Sequence, residues 1–437
     1  MEREAYKKLL DWKQSSDRKP LIISGARQTG KTWILNTFGV SEYEKIAYIN
    51  CEKNKTMKNL FNQDYDMGRI IRVISALTEV DVEPENTLIV LDELQSIPDG
   101  LTSLKYFYED APQYHVAAAG SLLGISIHEK SSFPVGKVDM IRIFPMNFEE
   151  FILAIGKTNL IEILQQRDYP TMKILEQQYI DLLRQYYFVG GMPAAVSAYS
   201  RGEGLSKIRS IQKQILFDYI NDFSKHAPTK EIPRINMVWQ SIPSQLAKDN
   251  KKFIYGAMKK GARASEFEIA IQWLIDMGLI YKINRINKPV IPLKFYEDIS
   301  AFKLFTLDCG LMGALSETPA GLMLTNNSIF EEFKGAFTEL YVLQQMETID
   351  SMPIYYYSTD DSRTEIDFVI QNGNHVIPIE VKAEENLKAK SLNRYVADNP
   401  HLKGLRFSMS PYRDQEWMEN IPLYAILSEL RSKSISL

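Results

Sequence analysis

The chain has 437 residues, a formal net charge of −4, and 45% hydrophobic and 24% charged residues. This length is too great for one ordinary core, so we expect two to four globular domains. Because the chain is slightly acidic, any nucleic-acid binding must come from a local patch and not from the overall charge. Cys51 and Cys309 are far apart and lack metal-ligand spacing, which argues against a disulfide scaffold or a zinc site. No run approaches the about 20 apolar residues of a membrane span, and the first residues lack a signal-peptide core, so we expect a cytoplasmic protein.

The first third of the chain alternates short apolar runs with amphipathic segments. Apolar runs that polar residues do not interrupt are typical of strands in a sheet covered on both faces. Their alternation with helices predicts a parallel α/β sheet. In chain order we predict a helix at 3–15, strands at 21–23 and 46–50, a helix at 67–78, a strand at 88–93, a helix at 99–110 and a strand at 116–119.

A glycine-bounded loop follows the first strand. Residues 25–32 fit the pattern G-x-x-x-x-G-K-[ST], a Walker A or P-loop motif for ATP. Glycines let successive backbone N–H groups point at one anion, at the positive end of a helix. Lys31 is predicted to reach the β- and γ-phosphates, and the Thr32 hydroxyl to ligate Mg²⁺. The alternative is a chance glycine turn before a helix. The predicted nucleotide-binding residues of the loop are Gly25, Ala26, Arg27, Gln28, Thr29, Gly30, Lys31 and Thr32.

The strand at 88–93 ends in two acids, which complete the predicted nucleotide site. Asp92 is predicted to hold Mg²⁺ beside Thr32, and Glu93 to activate the attacking water as general base. The alternative is that these acids cap the following helix, because acidic residues favour helix N-termini. Ser121, at the tip of the next strand, is predicted to sense the γ-phosphate of bound ATP, with a simple turn serine as the alternative.

The middle of the chain has a different character. Residues 156–230 predict a helical lid or linker, and its Gly-Gly-x-Pro turn at 190–193 is either structural or a nucleotide contact. Residues 231–315 predict helices followed by a hairpin, which suggests a winged helix. Its basic segments 251–263 and 282–294 would lie along DNA phosphates. The alternative is a solvated helix face in a domain that packs on the ATPase.

Residues 316–437 carry a second group of candidate catalytic residues. Two predicted strands joined by a hairpin turn place Asp367, Glu380 and Lys382 at the spacing D…(D/E)-x-K. Asp367 and Glu380 would hold Mg²⁺ against a scissile phosphate, and Lys382 would stabilise or help generate the attacking hydroxide. Glu339, on an earlier helix, is a candidate third acid. The alternative is a pair of exposed strands with ordinary ion pairs.

Taken together, these motifs resemble a bacterial and archaeal family that joins an AAA-type ATPase domain to a domain of unknown function with a restriction-endonuclease-like end. The resemblance covers nearly the whole chain. It implies an AAA-type ATPase, a linking winged-helix region, a PD-(D/E)xK fold and assembly into a homo-oligomer, with no settled substrate. The motifs that carry it lie at 25–32 (G-x-R-Q-x-G-K-T), 91–95 (with D-E-[IL]-Q), 120–121 (the sensor turn), 190–193 (G-G-x-P), 308–311 (D-x-G-L), 365–368 and 379–382 (the nuclease-like core).

One position departs from the family pattern. After the sensor turn this family usually shows a Gly-Arg pair, and here the pair is Gly136-Lys137. Lysine lacks the planar fork that arginine offers to a phosphate. Arg142 is close in sequence and is the candidate substitute, so the identity of an arginine finger stays open.

We therefore predict an α/β protein with an AAA-like P-loop NTPase sheet, then a helical and winged-helix region, then an α/β restriction-endonuclease-like domain. The favoured function is a Mg²⁺-dependent ATPase that acts as a switch for a DNA-interacting, nuclease-like carboxy-terminal domain. The alternatives are an ATP-gated metal-dependent nuclease and a non-catalytic DNA- or protein-binding module regulated by ATP. The predicted segments are 1–155 (ATPase domain), 156–230 (helical lid or linker), 231–315 (winged helix) and 316–437 (nuclease-like domain).

Overall fold

The structure is a computed structural model that describes residues 2–61, 64–120, 133–248, 251–324, 328–359, 364–383 and 389–435. The chain forms two compact units. Unit 1 consists of Met1–Phe144 and Asp276–Leu279, and unit 2 of Pro145–Ile275 and Ile280–Leu437. Among the helices of the described ranges, none combines the length and the apolar character that crossing a membrane requires.

Unit 1 contains a five-stranded sheet in the order β2-β3-β4-β1-β5, in which every pair of neighbours is parallel. The predicted parallel α/β sheet is thereby confirmed. The edge strand β5 was not predicted, because its four residues include only two apolar ones. The strands are β1 Leu21–Ser24, β2 Lys45–Asn50, β3 Thr87–Asp92, β4 His115–Ala119 and β5 Asp139–Arg142, and the helices are α1 Glu4–Gln14, α2 Lys31–Glu42, α3 Lys55–Leu60, α4 Met67–Thr78 and α5 Gly100–Asp110.

Both faces of this sheet are buried, which explains why its central strands are apolar without interruption. On one face, strand residues such as Ile22 and Leu91 pack with side chains of α4 and α5. On the other, Ile23 and Val90 pack with side chains of α1 and α2. The side chains along a strand alternate between the two faces, so each strand supplies both cores. The loop that follows β1 is thus attached to a strand that two layers of helices hold in place.

Unit 2 contains most of the helices. They begin and end as follows: α6 Phe148–Ala154, α7 Thr158–Gln165, α8 Tyr169–Ile174, α9 Glu176–Val189, α10 Pro193–Ser200, α11 Leu205–His226, α12 Ile232–Leu246, α13 Ala264–Asp276, α14 Cys309–Leu315, α15 Ala320–Leu324, α16 Ser328–Met346, α17 Lys390–Asp398 and α18 Ile426–Ile435. The predicted helical character of the segment after residue 155 agrees with this run of helices.

A second, mixed sheet of eight strands lies in unit 2 in the order β12-β13-β11-β10-β9-β8-β6-β7. Neighbours pair in parallel at β6–β8, β10–β11 and β11–β13, and antiparallel at the other junctions. The strands are β6 Ile280–Ile286, β7 Glu297–Thr306, β8 Ile354–Ser358, β9 Glu365–Asn372, β10 His375–Val381, β11 Gly404–Ser408, β12 Arg413–Asp414 and β13 Met418–Pro422.

This sheet crosses the predicted boundary between residues 315 and 316. The hairpin of β6 and β7, predicted as the wing of a winged helix, pairs with β8 through Arg285 and Ile286. The boundary near residue 315 therefore does not separate two sheets, and this part of the four-segment division needs correction. The local pattern of a hairpin shows which two strands are neighbours in sequence, but it carries no sign of a distant third strand.

A buried carboxylate connects three parts of unit 2. Asp308, which lies at the N-terminus of α14, accepts hydrogen bonds from Leu311 N (2.9 Å), Gly191 N (2.5 Å) and Gln344 Nε2 of α16 (3.0 Å). Burial nevertheless raises the pKa of Asp308 above its ordinary value. The turn beside it requires glycine, since a Cβ at Gly191 would lie 2.0 Å from the Met146 carbonyl oxygen. The motifs G-G-x-P and D-x-G-L thus contact each other, which supports the structural interpretation of the Gly-Gly turn.

We expect Asp308→Ala to lower the free energy of unfolding by about 3 kcal/mol or more, because buried donors would lose a carboxylate partner. Asp168→Ala is the matched control. Asp168 is the N-cap of α8, and its side chain accepts hydrogen bonds from the backbone N–H and the hydroxyl of Thr171 in the same first turn. Urea unfolding of the two variants checks the difference. Equal losses in the two variants would contradict the assignment of Asp308 as the connecting residue.

Candidate functional site

Several residues of the loop between β1 and α2 have left-handed backbone conformations, which residues other than glycine rarely adopt. Gly25, Gln28 and Gly30 have positive φ angles of 140°, 67° and 96°. A Cβ at Gly25 would lie 2.2 Å from the Ile143 carbonyl oxygen, so the loop approaches the segment after β5 too closely for any side chain there. Lys31 is the first residue of α2. The backbone therefore turns directly into a helix N-terminus, which is the arrangement that a phosphate loop needs.

A residue far from the motif stabilises this loop. Arg3, which is 8% exposed, donates to the carbonyl oxygens of Thr29 (3.0 Å) and Phe144 (2.7 Å). The Thr29 hydroxyl donates to the Ala26 carbonyl oxygen (2.8 Å) within the loop. Sequence analysis missed Arg3, since an arginine before an amphipathic helix carries no signal for a contact this distant. Arg3 therefore links Thr29 of the loop to the segment that follows β5.

Lys31 lies inside the loop and not on its surface. The side chain is 6% exposed, and its Nζ donates to the carbonyl oxygens of Gly25 (2.9 Å) and Ala26 (2.8 Å). Burial lowers the pKa of Lys31 to about 8, although the nearby carboxylates of Glu93 and Asp92 oppose this shift. A buried ammonium gains from a nearby anion, because the anion offsets the loss of solvation. The position and the charge of Lys31 thus fit a role in phosphate binding.

Thr32 and Asp92 meet directly, as the sequence predicted for a shared Mg²⁺ site. The Thr32 hydroxyl donates to Asp92 Oδ2 at 2.9 Å, and the Tyr48 hydroxyl donates to the same oxygen at 2.8 Å. The register of the sheet brings them together, since Ile23 and Asp92 are both opposite Ala119 of β4. A hydroxyl and a carboxylate side by side are hard oxygen ligands of the kind that Mg²⁺ prefers. The residues present therefore fit this ion.

Glu93 leaves the sheet in a left-handed backbone conformation, with φ of 53°. Its Oε2 accepts a hydrogen bond of 2.5 Å from Gln95 Nε2. The carboxylate of Asp92 is bonded to Thr32 and Tyr48. Asp92 contacts the loop directly, and the carboxylate of Glu93 lies close enough to Lys31 to affect its pKa, which favours the nucleotide-site interpretation over helix capping. Gln95 is the last residue of the motif at 91–95, but its contact with Glu93 was not predicted.

Three further predictions concern the same site. Ser121 lies outside the described residues. Lys137 forms an ion pair with Glu109 (3.1 Å), and its Nζ lies 5.1 Å from the centre of the Tyr108 ring. Arg142, the last residue of β5, is exposed and packs against the ring of Phe144 at 4.9 Å. The ammonium of Lys137 thus has an acidic partner on α5.

The second group of candidate residues in unit 2 also comes together. Lys382 Nζ lies 2.6 Å from Glu380 Oε1 at the end of β10. Asp367 Oδ2 accepts a hydrogen bond of 2.7 Å from Val381 N, next to Glu380. Burial raises the pKa of Asp367 well above its usual range, and the charges of Glu339 and Glu380 raise it further. The electrostatic effect of Glu339 on Asp367 places this third acid in the same cluster.

Two lysines that sequence analysis did not assign to this site lie among these acids. Lys303, which is fully buried on β7, lies 2.6 Å from Glu365 Oε1 and 3.8 Å from Glu339 Oε2. Lys251 forms an ion pair with Glu339 Oε1. Burial alone would lower the pKa of Lys303, but the neighbouring carboxylates raise it above its ordinary value. A lysine in the apolar strand sequence of β7 was the signal that could have revealed this contact.

The cluster meets the requirements of a divalent ion only in part. Among the described residues, no three side chains of His, Cys, Asp or Glu are arranged to hold a metal ion. In the same part of the chain, Glu380 Oε2 and Glu339 Oε2 are buried without a hydrogen-bond partner. Lys251, Lys303 and Lys382 neutralise part of the negative charge, whereas these two oxygens stay available to a cation. The predicted Mg²⁺ ligands Asp367 and Glu380 are neighbours, but they do not form a ready site.

Comparison with known proteins gives separate matches along the chain. Residues 17–152 match the family model described as an AAA domain. Residues 180–322 and 334–426 match two domains of unknown function, DUF8612 and DUF4143. No curated protein matches the chain.

Solved structures show only a distant likeness. The Walker-type ATPase PABY2304 of Pyrococcus abyssi is 14% identical, with 72% of this chain and 95% of that chain covered and a TM-score of 0.45. The Orc1 protein of Aeropyrum pernix, solved in complex with DNA, is 14% identical, with 74% and 93% covered and a TM-score of 0.27. Cdc6p of Pyrobaculum aerophilum is 14% identical, with 72% and 92% covered and a TM-score of 0.25.

At these TM-scores the structural likeness carries no argument, and the assignment depends on the family model and on the loop itself. The predicted resemblance to an AAA-type ATPase is confirmed for the amino-terminal region. Nothing in the matches to the later regions goes beyond domains of unknown function. Residues 17–152 of this chain match an AAA domain and contain the parallel sheet and phosphate loop of a P-loop NTPase-like fold.

Proposed function

We propose that the protein binds ATP with Mg²⁺ and hydrolyses it, and that this reaction acts as a switch for a DNA-interacting carboxy-terminal half. The single observation that carries the proposal is the direct bond between the Thr32 hydroxyl and the Asp92 carboxylate beside a complete phosphate loop. A chance glycine turn would have no reason to lie next to an acidic strand end. The AAA domain match over residues 17–152 supports the same conclusion.

The proposed roles follow from the positions of the side chains. The backbone N–H groups of residues 25–32 and the ammonium of Lys31 bind the phosphates, and Lys31 exchanges its bonds to loop carbonyls for bonds to phosphate oxygens. Thr32 and Asp92 are the proposed ligands of Mg²⁺, an ion that would neutralise the charge of the phosphates. Glu93 accepts the proton of the attacking water. The Gln95 amide orients the Glu93 carboxylate through its hydrogen bond.

Two versions of the carboxy-terminal function remain in competition, namely a metal-dependent nuclease and a non-catalytic binding module. The pairing of Lys303 with Glu365 and of Lys251 with Glu339 favours the binding module, because it gives the acids cations from the chain itself. A nuclease would need an open pair of carboxylates for its ion. The nuclease version keeps the support of Asp367, Glu380 and Lys382 in one cluster.

Exposure distinguishes the two basic segments proposed to contact DNA. In the segment 251–263 the basic side chains of Lys252, Lys259, Lys260 and Arg263 are exposed. In the segment 282–294 several charges have local partners. Lys294 lies 2.5 Å from Glu297, Arg285 lies 2.7 Å from Asp298, and Lys282 packs on the ring of Phe302. The first segment is therefore the better candidate for phosphate contacts. The homo-oligomer stays a prediction.

We expect Lys31→Ala to weaken ATP binding at least tenfold and to abolish turnover, because the buried charge that faces the phosphates is lost. Glu93→Gln should retain ATP binding and lower kcat by about 10² to 10⁴ through loss of the general base. A fluorescent ATP analogue measures binding, and phosphate release measures turnover.

The matched control for these variants is Lys45→Ala, which removes a lysine of the same unit at the start of β2. This variant should retain both binding and turnover, since Lys45 pairs with Glu83. Unchanged ATP binding and turnover in Lys31→Ala would contradict the proposed function.

We expect ATP affinity to fall about fivefold from pH 8 to pH 9, because the charged fraction of a group with a pKa of about 8 falls from about one half to about one tenth over this range. Burial lowers the pKa of Lys31 to about 8 in the free protein, so above this pH its neutral form dominates. Phosphate binding requires the charged form and must then take up a proton, which weakens the observed affinity as the pH rises.

Calorimetry in buffers of different ionisation enthalpy measures both the affinity and the proton uptake. In Lys31→Arg the guanidinium stays charged throughout this range, so its affinity should not show this decline. A decline of the same size in Lys31→Arg would assign the pH dependence to another group.

The nuclease assay decides between the two carboxy-terminal functions. The protein is incubated with plasmid, single-stranded DNA and RNA, with Mg²⁺ or Mn²⁺, in the presence and absence of ATP. Because lysines neutralise the cluster, we expect binding of nucleic acid without cleavage. Cleavage by the wild type that is lost in the double variant Asp367→Ala, Lys382→Ala would establish the nuclease instead. Cleavage that persists in the double variant would come from another source and would support neither version.

A further inference from the structure

Tyr48 makes a contact with the proposed Mg²⁺ site that the assigned roles do not explain. It lies on β2, next to β3, and its hydroxyl donates to Asp92 Oδ2 at 2.8 Å. Its ring packs against the apolar cluster on the α1–α2 face of the sheet. Tyr48 therefore donates a hydrogen bond to a proposed ligand of the ion.

A bound cation would affect the two hydrogen-bond donors to Asp92 Oδ2 differently. The Thr32 hydroxyl, which donates to Asp92 at 2.9 Å, is itself a proposed ligand of the ion. Because its oxygen would also serve the ion, its effect on the orientation of the Asp92 carboxylate cannot be separated from its role as a ligand. Tyr48 is not a proposed ligand, so its bond can persist. Hydrogen-bonding partners of ligating carboxylates fix the orientation of the ligand, and their loss typically lowers metal affinity 10- to 100-fold.

We propose that Tyr48 is a positioning residue for Mg²⁺ at the nucleotide site, which acts by holding the Asp92 carboxylate through its hydroxyl. This inference rests on the proposed function, because it concerns the ion that accompanies ATP. It differs from a packing role in one respect that can be measured. Packing depends on the ring, which Tyr48→Phe retains, whereas positioning depends on the hydroxyl, which Tyr48→Phe removes.

The test is a titration of Mg²⁺ at a fixed concentration of a fluorescent ATP analogue, with the full-length protein. For Tyr48→Phe we expect the Mg²⁺ concentration at half-maximal binding to rise about tenfold. Binding of the analogue in EDTA should stay within about twofold of wild type, because the hydrogen bond that this variant removes is made to Asp92 and not to a residue that binds phosphate. A phosphate-release assay then shows whether saturating Mg²⁺ restores turnover, as a positioning role requires.

The matched control is Tyr43→Phe, which removes another hydrogen-bonded tyrosine hydroxyl from unit 1. The Tyr43 hydroxyl lies 2.7 Å from His115 Nδ1 at the start of β4, whereas Asp92 is opposite the last residue of that strand. Tyr43→Phe should leave the Mg²⁺ midpoint unchanged. Thermal unfolding of the two variants without nucleotide compares their stability. An unchanged midpoint in Tyr48→Phe, or equal loss of binding with and without Mg²⁺, would overturn the inference.

The outcomes also distinguish this inference from the proposed function. If the wild type fails to bind the analogue in any condition, the proposed function fails. If the wild type shows Mg²⁺-dependent binding and Tyr48→Phe shows the same midpoint, only the role of Tyr48 fails. Asp92→Asn provides the reference for loss of the ligand itself and should reduce the Mg²⁺ dependence more strongly than Tyr48→Phe.

Discussion

The contact between the Thr32 hydroxyl and the Asp92 carboxylate is the interaction on which the nucleotide site depends. Sixty residues separate the two side chains, and only the sheet brings them together. The phosphate loop follows β1, the acid ends β3, and β4 lies between the two strands. Because all three strands are parallel, their carboxyl ends lie at one edge of the sheet. The chemistry of the loop would be incomplete without this strand order.

The same dependence on long-range structure explains what the sequence could and could not predict. The loop at 25–32 was predictable because its requirements are local, namely glycines at strained backbone positions and a lysine and threonine at a helix start. The acids at the end of β3 were predictable because an apolar strand ends there. Arg3 and Tyr48 were not predictable, since nothing in their own neighbourhood indicates a contact with Thr29 or Asp92.

In the carboxy-terminal half the sequence predicted which acids lie close together, but not all of the lysines that pair with them. The proximity of Asp367, Glu380 and Lys382 was predictable because a short hairpin, which is a local feature, joins their strands. The sequence did not predict Lys303, because β7 joins the sheet through β6 and β8, far from the hairpin in sequence. Pairing between distant strands decides which charges meet in a buried cluster. A motif search therefore finds carboxylates more easily than the cations that neutralise them.

The bridge made by Arg3 has a consequence for the order in which the chain acquires its structure. The two partners of this side chain are Thr29, in the phosphate loop, and Phe144, which follows β5. In sequence, 141 residues separate Arg3 from Phe144. Gly25 likewise packs against Ile143. During synthesis the phosphate loop is made early. Its contact with Ile143, and the bond that links Arg3 to Phe144, can form only after β5 has left the ribosome. A nascent chain that stops before residue 143 therefore has the whole motif and still lacks the contacts that stabilise its shape.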